Sequence, residues 1–151
     1  MNEALELVQG LTVLEVGAGS GYHAATIAET IGPKGHVYTV EIVEDLVRFA
    51  RANLERAGYA DRVTLVLGDG SLGYPDRAPY DRVILTAAAP DVPPVLIDQL
   101  KIGGIMLAPV GGRFFPQELV MIRKKESGEI ERRGLGGVAF VPLKGKHGFS
   151  D

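Results

Sequence analysis

The chain contains no cysteine, which excludes disulfides, thiolate zinc sites and thiol nucleophiles. Its three histidines are scattered, so no His-rich metal site is expected. Positive charge is in short supply: 16 basic residues stand against 19 acidic ones, for a net charge of −3. No run of Lys and Arg interleaved with aromatics offers a nucleic-acid face, and a nucleic-acid partner is not expected. No apolar stretch approaches the roughly 20 residues of a spanning helix, and the N-terminus MNEALELVQG lacks a basic region followed by an apolar segment. A membrane association is therefore not expected, and a cytoplasmic location is. Linkers and internal repeats are missing too. A chain of 151 residues, 46% of them hydrophobic, is then expected to form one domain over residues 1–151 with a sizeable core.

Two kinds of segment alternate along the chain. Short β-rich runs fall at 11–16 (LTVLEV), 36–41 (HVYTVE), 63–67 (VTLVL), 81–86 (DRVILT) and 104–110 (GIMLAPV). Helical patterns lie between them at 22–31, 43–57 and 93–100. The second carries Leu46, Val47, Ala50, Leu54 and Ala57 on one stripe and stops at Gly58. Strands apolar on both faces, alternating with helices, predict an α/β fold: a mostly parallel, doubly wound sheet with right-handed crossovers. After Val110 the segment QELVMIRKKESGEIERRG predicts two antiparallel strands at the sheet edge, joined at Ser127-Gly128. The pairs Lys124-Lys125 and Arg132-Arg133 are expected to solvate that edge.

In such a sheet ligands sit beyond the carboxyl ends of the strands. The first junction reads Glu15-Val16-Gly17-Ala18-Gly19-Ser20-Gly21, where three glycines permit a tight turn and close approach to the backbone. The G-x-G-x-x-G dinucleotide pattern requires a third glycine at position 22, which is Tyr22, so NAD fits poorly. Glu41 closes the second strand, followed by Ile42, and can accept hydrogen bonds from ribose hydroxyls. Gly68-Asp69-Gly70 closes the third, where Asp69 can accept from an adenine amino group; an ordinary Asp-Gly turn is the alternative. No Walker-type Lys-[Ser/Thr] follows the glycines, so phosphate is not demanded. An adenosyl ligand without pyrophosphate fits best, and S-adenosylmethionine is such a ligand. Its carboxylate suits the helix N-terminus at Ser20 to His23, and its cationic groups suit Glu15. His23 itself is expected to face solvent.

The stretches VLEVGAGSGYHAA, VYTVE, GDGSLGY, APYDRVILTAAAP, LIDQLKIGGIMLAPVG and VAFVPLKGKHGF together resemble the protein-L-isoaspartate O-methyltransferase family over nearly the whole chain. GDGSLGY and PYDRVILTAAAP carry more of that resemblance than the glycine loop, which any Rossmann-like methyltransferase can share. The resemblance implies a Rossmann-like S-adenosylmethionine-dependent methyltransferase fold. It implies methyl transfer to the free carboxylate of L-isoaspartyl residues in damaged proteins, which begins their repair, with S-adenosyl-L-homocysteine as product. It also implies that Thr86 and the small residues Ala87, Ala88, Ala89 and Pro90 lie beside the reacting groups, leaving room for a peptide, and that Val141-Pro142-Leu143 folds back near the cofactor.

Two departures stand out. The loop Gly111-Gly112-Arg113-Phe114-Phe115-Pro116 is longer than the family pattern leads one to expect. Met1 to Leu7 line up with a helix well inside the usual family sequence, so the upstream Ser- or Thr-containing segment has no counterpart here and no catalytic residue is assigned. On that reading the chain is expected to keep some cofactor affinity, to methylate isoaspartyl peptides poorly or not at all, and to self-associate through uncovered apolar surface. Three functions stay open: the isoaspartyl methyltransferase, a cofactor-binding core without turnover, and a NAD-binding dehydrogenase domain.

Overall fold

A computed structural model describes residues 2–114 and 116–150; Met1 of the N-terminal stretch and Phe115 of the long loop lie outside the described residues. The chain runs β1 (Thr12–Val16), α1 (Tyr22–Ile31), β2 (His36–Glu41), α2 (Glu44–Ala57), β3 (Val63–Leu67), β4 (Tyr80–Leu85), α3 (Pro94–Asp98), β5 (Leu100–Gly111), β6 (Gln117–Lys124) and β7 (Ile130–Val138). These strands form one seven-stranded sheet in the order β3-β2-β1-β4-β5-β6-β7. β1 to β5 pair in parallel, whereas β5 with β6 and β6 with β7 are antiparallel.

Strand alternation splits the core in two. Val13, Val37, Ile84 and Leu107 point to the face covered by α1 and α2, against Ala24, Ile27, Ile31 and Leu54. Leu14, Val16, Val83, Leu85 and Met106 point to the opposite face, where Leu96 of α3 and Tyr80 pack. α2 buries Val47, Ala50 and Leu54 as its spacing predicts, but Leu46 is left partly exposed and Ala57 open to solvent. Gly58 ends that helix in the left-handed region at φ 84°, its N–H bonded to Glu55 and Leu54 carbonyls.

Several boundaries depart from the sequence expectation. α3 is short, because Pro93 and Pro94 fix its start and β5 begins already at Leu100. β5 accommodates this by slipping register between the Tyr80–Leu100 and Arg82–Ile105 pairs, with Gly103 at φ +81°. Asn2 to Glu6 form hydrogen-bonded turns, not a helix, and drive Leu5 fully into the core. Lys124 is not a solvating group at the edge: its ammonium donates to the carbonyls of Ile97 and Leu100, both at 3.0 Å, capping the end of α3. No helix among the described residues is long and apolar enough to cross a membrane.

Candidate functional site

The carboxyl ends of β1, β2, β3 and β4 converge with the C-terminal segment on a cavity of about 490 Å³. Its polar end is made by the glycine loop and Glu41. Gly17 donates to the Val40 carbonyl at 2.8 Å, and its own carbonyl accepts the Thr86 hydroxyl at 2.6 Å. At φ +99°, with the Thr86 hydroxyl where a Cβ would stand, position 17 admits only glycine. Gly21 caps α1 in the left-handed region and lies against Ala50 and Leu54 of α2, so the loop is fixed from both sides.

Glu41 is 7% exposed, and its carboxylate joins two loops. One oxygen accepts from the Gly19 amide and the other from the Val43 amide, both at 3.1 Å. Each carboxylate oxygen keeps a second lone pair, so a diol at the cavity can still be bound. Across the cavity the walls are apolar, from Val16, Val40, Leu46, Leu143 and Phe149, with Phe114 at the rim. Arg113 and Lys144 bring positive charge, and Arg113 donates to the Ser150 carbonyl at 2.6 Å.

Of the residues singled out in the sequence, Gly17, Gly19, Glu41, Ile42, Gly70 and Ala87 line this cavity. Gly21, Gly68 and Asp69 do not line it; they lie in the loops that bound it. Asp69 spends its carboxylate on the protein, accepting from Ser71 and from the Lys146 amide. Burial raises its proton affinity, but the Ser71 hydroxyl, the Lys146 and Ser71 amides and nearby His147 outweigh this, and it stays below the usual carboxylate range.

Glu15 sits elsewhere. The alternation of β1 turns it to the α1 face, fully buried, where one oxygen accepts the Thr39 hydroxyl at 2.6 Å and the other meets His23 Nδ1 at 2.8 Å. His23 is accordingly not a free solvent-facing residue: its second ring nitrogen lies 2.8 Å from Asn2 Oδ1. Ala88 and Ala89 do not leave a peptide-sized gap. Ala88 exchanges backbone hydrogen bonds with Val141 and Leu143, each 2.8 Å, and Ala89 with Pro109 and Gly111 at 2.9 and 3.1 Å, while Pro90 is exposed. Those bonds are what brings Val141-Pro142-Leu143 to the cavity. Thr86 lines the cavity beside Ala87, whereas Val43, Leu46, Arg113, Lys144 and Phe149 are site residues that the sequence alone did not single out. Lys144 and Phe149 arrive by long-range pairing, and their only signal was the resemblance of the segment that contains them.

The parallel sheet, glycine loop and strand-end acid define a Rossmann-like S-adenosylmethionine-dependent methyltransferase fold. A solved structure named protein-L-isoaspartate O-methyltransferase superposes with a TM-score of 0.88 at 33% identity, over 97% of this chain and 46% of that one. Another, a candidate protein-L-isoaspartate O-methyltransferase from Plasmodium falciparum in complex with S-adenosyl-L-homocysteine, gives 0.83 at 26% identity, over 95% and 70% of the two chains.

The chain belongs to the protein-L-isoaspartate(D-aspartate) O-methyltransferase family, whose model matches residues 1–148. It is 55% identical to the protein-L-isoaspartate O-methyltransferase of Hyperthermus butylicus, over 100% of this chain and 65% of that protein. For the protein of the same name from Methanosarcina mazei the identity is 54%, over 99% and 60%. The chain thus spans somewhat under two thirds of the length of these curated relatives.

Proposed function

We propose that this chain binds S-adenosylmethionine in the cavity and transfers its methyl group to the free carboxylate of L-isoaspartyl residues in damaged proteins. The observation that carries the reading is the convergence of Gly17, Gly19 and Glu41 at the polar end of an otherwise apolar cavity, in a chain of this family. When bound, S-adenosylmethionine supplies an electrophilic methyl on a sulfonium and leaves as S-adenosyl-L-homocysteine. Glu41 would hold the ribose hydroxyls, and the positive end of the α1 dipole would face the cofactor's carboxylate. Val16, Val40, Leu143 and Phe149 exclude water from the donor.

No residue of this chain has to remove a proton from the acceptor. A carboxylate of ordinary pKa, about 4, is ionised at neutral pH, so the protein's contribution is alignment and desolvation. Glu41 and the start of α1 fix one partner, and Pro142 of the C-terminal segment bounds the other. The exposed Tyr22, Phe49, Phe114 and Val141 support self-association as well; a sedimentation coefficient that does not change with concentration would remove that part of the reading.

Calorimetry with S-adenosylmethionine, S-adenosyl-L-homocysteine and NAD, followed by methyl transfer to an isoaspartyl peptide and its aspartyl control, tests the reading. Both adenosyl compounds are expected to bind more tightly than NAD, and only the isoaspartyl peptide to be methylated. Tighter binding of NAD would return the dehydrogenase alternative. Binding without any transfer would leave a cofactor-binding core.

A further inference from the structure

Gln117 opens β6 and is only 4% exposed, a carboxamide buried between the loop that precedes it and the C-terminal segment. Its Oε1 accepts from the Phe140 amide at 2.7 Å. Its Nε2 donates to the Phe140 carbonyl at 3.1 Å and reaches the carbonyls of Gly112 at 3.3 Å and Phe114 at 3.4 Å. Two amide hydrogens are thus shared among three carbonyls. Exchanging the oxygen and the nitrogen would set Nε2 against the Phe140 amide and the oxygen against all three carbonyls, so the surroundings accept this side chain in one orientation only.

The two segments it joins both reach the cavity. Arg113 and Phe114 come from the loop; Val141, Pro142 and Lys144 come from the C-terminal segment. Phe114 and Val141 are largely exposed, so each segment sets an apolar side chain where a peptide arriving from solvent meets the molecule. Two other bonds hold the loop. Gly112 donates to the Pro116 carbonyl at 3.0 Å, which closes the loop on itself, and Arg113 donates to the Ser150 carbonyl at 2.6 Å, at the surface where water competes for both groups. Gln117 is the buried tie. The groups proposed to hold the cofactor do not depend on it: Gly17 bonds to Val40 and Thr86, Gly19 to Glu41, and Leu143 to Ala88.

We infer that Gln117 is a positioning residue for the peptide acceptor: by tying the loop to the C-terminal segment it sets Phe114 and Val141 as one rim before the peptide arrives. The inference rests on the cavity being the methyl-transfer site proposed above. A rim that is already ordered removes the entropy loss of ordering it on binding, and that gain belongs to the acceptor, because the cofactor's polar anchors lie on strands that Gln117 does not touch.

Two variants test this. Gln117→Leu stays close in size and removes every bond; Gln117→Glu keeps an acceptor for the Phe140 amide and removes the donors to the three carbonyls. Amide hydrogen exchange is followed at Phe140 and Gly112, with β1 amides as the control for global stability. Calorimetry gives the affinity for S-adenosyl-L-homocysteine, and fluorescence anisotropy gives the affinity of a labelled isoaspartyl peptide for the chain with that compound bound, which needs no turnover. Gln117→Leu is expected to raise exchange at both amides about tenfold with β1 unchanged, and to weaken the peptide about tenfold while S-adenosyl-L-homocysteine stays within about threefold. Gln117→Glu should raise exchange at Gly112 more than at Phe140 and weaken the peptide by a smaller factor, and it serves alone if Gln117→Leu does not fold. Unchanged exchange at Gly112 in every variant that folds overturns the tie. Undiminished peptide affinity where Gly112 exchange has risen overturns the positioning role, and so does an equal loss of peptide and S-adenosyl-L-homocysteine, which would mean a general loosening of the cavity. If the unaltered chain binds neither compound, the methyl-transfer reading fails, while exchange in the variants still decides whether Gln117 ties the two segments.

Discussion

The hydroxyl of Thr86 donates to the carbonyl of Gly17 at 2.6 Å and reaches the Val16 carbonyl at 3.0 Å, so the end of β4 holds the first turn of the glycine loop. Thr86→Val keeps the shape and removes the donor. It is expected to cost about 1 kcal/mol of stability, the usual net worth of such a bond, and to weaken S-adenosyl-L-homocysteine binding by loosening the loop. Urea denaturation and calorimetry read the two effects; a variant as stable and as tight as the parent would mean the loop holds itself.

Glu41→Ala removes the proposed acceptor for both ribose hydroxyls and frees the amides of Gly19 and Val43. Affinity for S-adenosyl-L-homocysteine should fall by about 1.5–3 kcal/mol, the range for hydrogen bonds to a charged group. Undiminished affinity would take Glu41 out of the site.

Glu15→Ala should separate stability from binding. The substitution strands the buried Thr39 hydroxyl and His23, for an expected loss of about 3 kcal/mol. Affinity measured where the variant is still folded should stay within about threefold of the parent, a span of well under 1 kcal/mol. A loss of affinity much larger than that would restore Glu15 as a partner of the cofactor's ammonium.

Acid should undo the Asp69 contribution. Its folded-state proton affinity lies below the ordinary value, so its stabilisation is complete above the pKa of an unfolded aspartate, about 4, and is lost as pH falls through the lowered folded value. The stability gap between the parent and Asp69→Asn is expected to be constant from pH 7 to 5 and to shrink below about pH 4. Denaturation curves giving the same gap at pH 3 and pH 7 would show that the charge is not what matters.

Methyl transfer should be nearly flat between pH 6 and 8, because the acceptor is ionised throughout and no base is needed. A steep rise in kcat across that window, with binding constant, would require a titrating group and a different acceptor.

Much of this was legible in the chain because strands buried on both faces are plain apolar runs, and β1, β2 and β3 run out into a glycine or an acid. Glu41 was readable from its place at the end of such a run. Glu15 was not: in β1 both faces are buried, so Val13 and Leu14 look alike and nothing in the pattern says that Glu15 turns to α1. The protein contacts of Asp69 were hidden for another reason. Its decisive partner, Lys146, lies 77 residues away, and an Asp-Gly turn carries no trace of so distant an amide. The smallness of Ala88 and Ala89 serves close backbone pairing on both sides, which a run of alanines does not announce.

The fold brings Phe149 into the wall of the cavity and ties the Ser150 carbonyl to Arg113 at 2.6 Å. Anything fused behind Ser150 would therefore leave the molecule beside the mouth of the site. An affinity tag placed there would crowd the mouth and pull on the C-terminal segment, while a spin label or fluorophore coupled just after Ser150 becomes a reporter of ligand arrival.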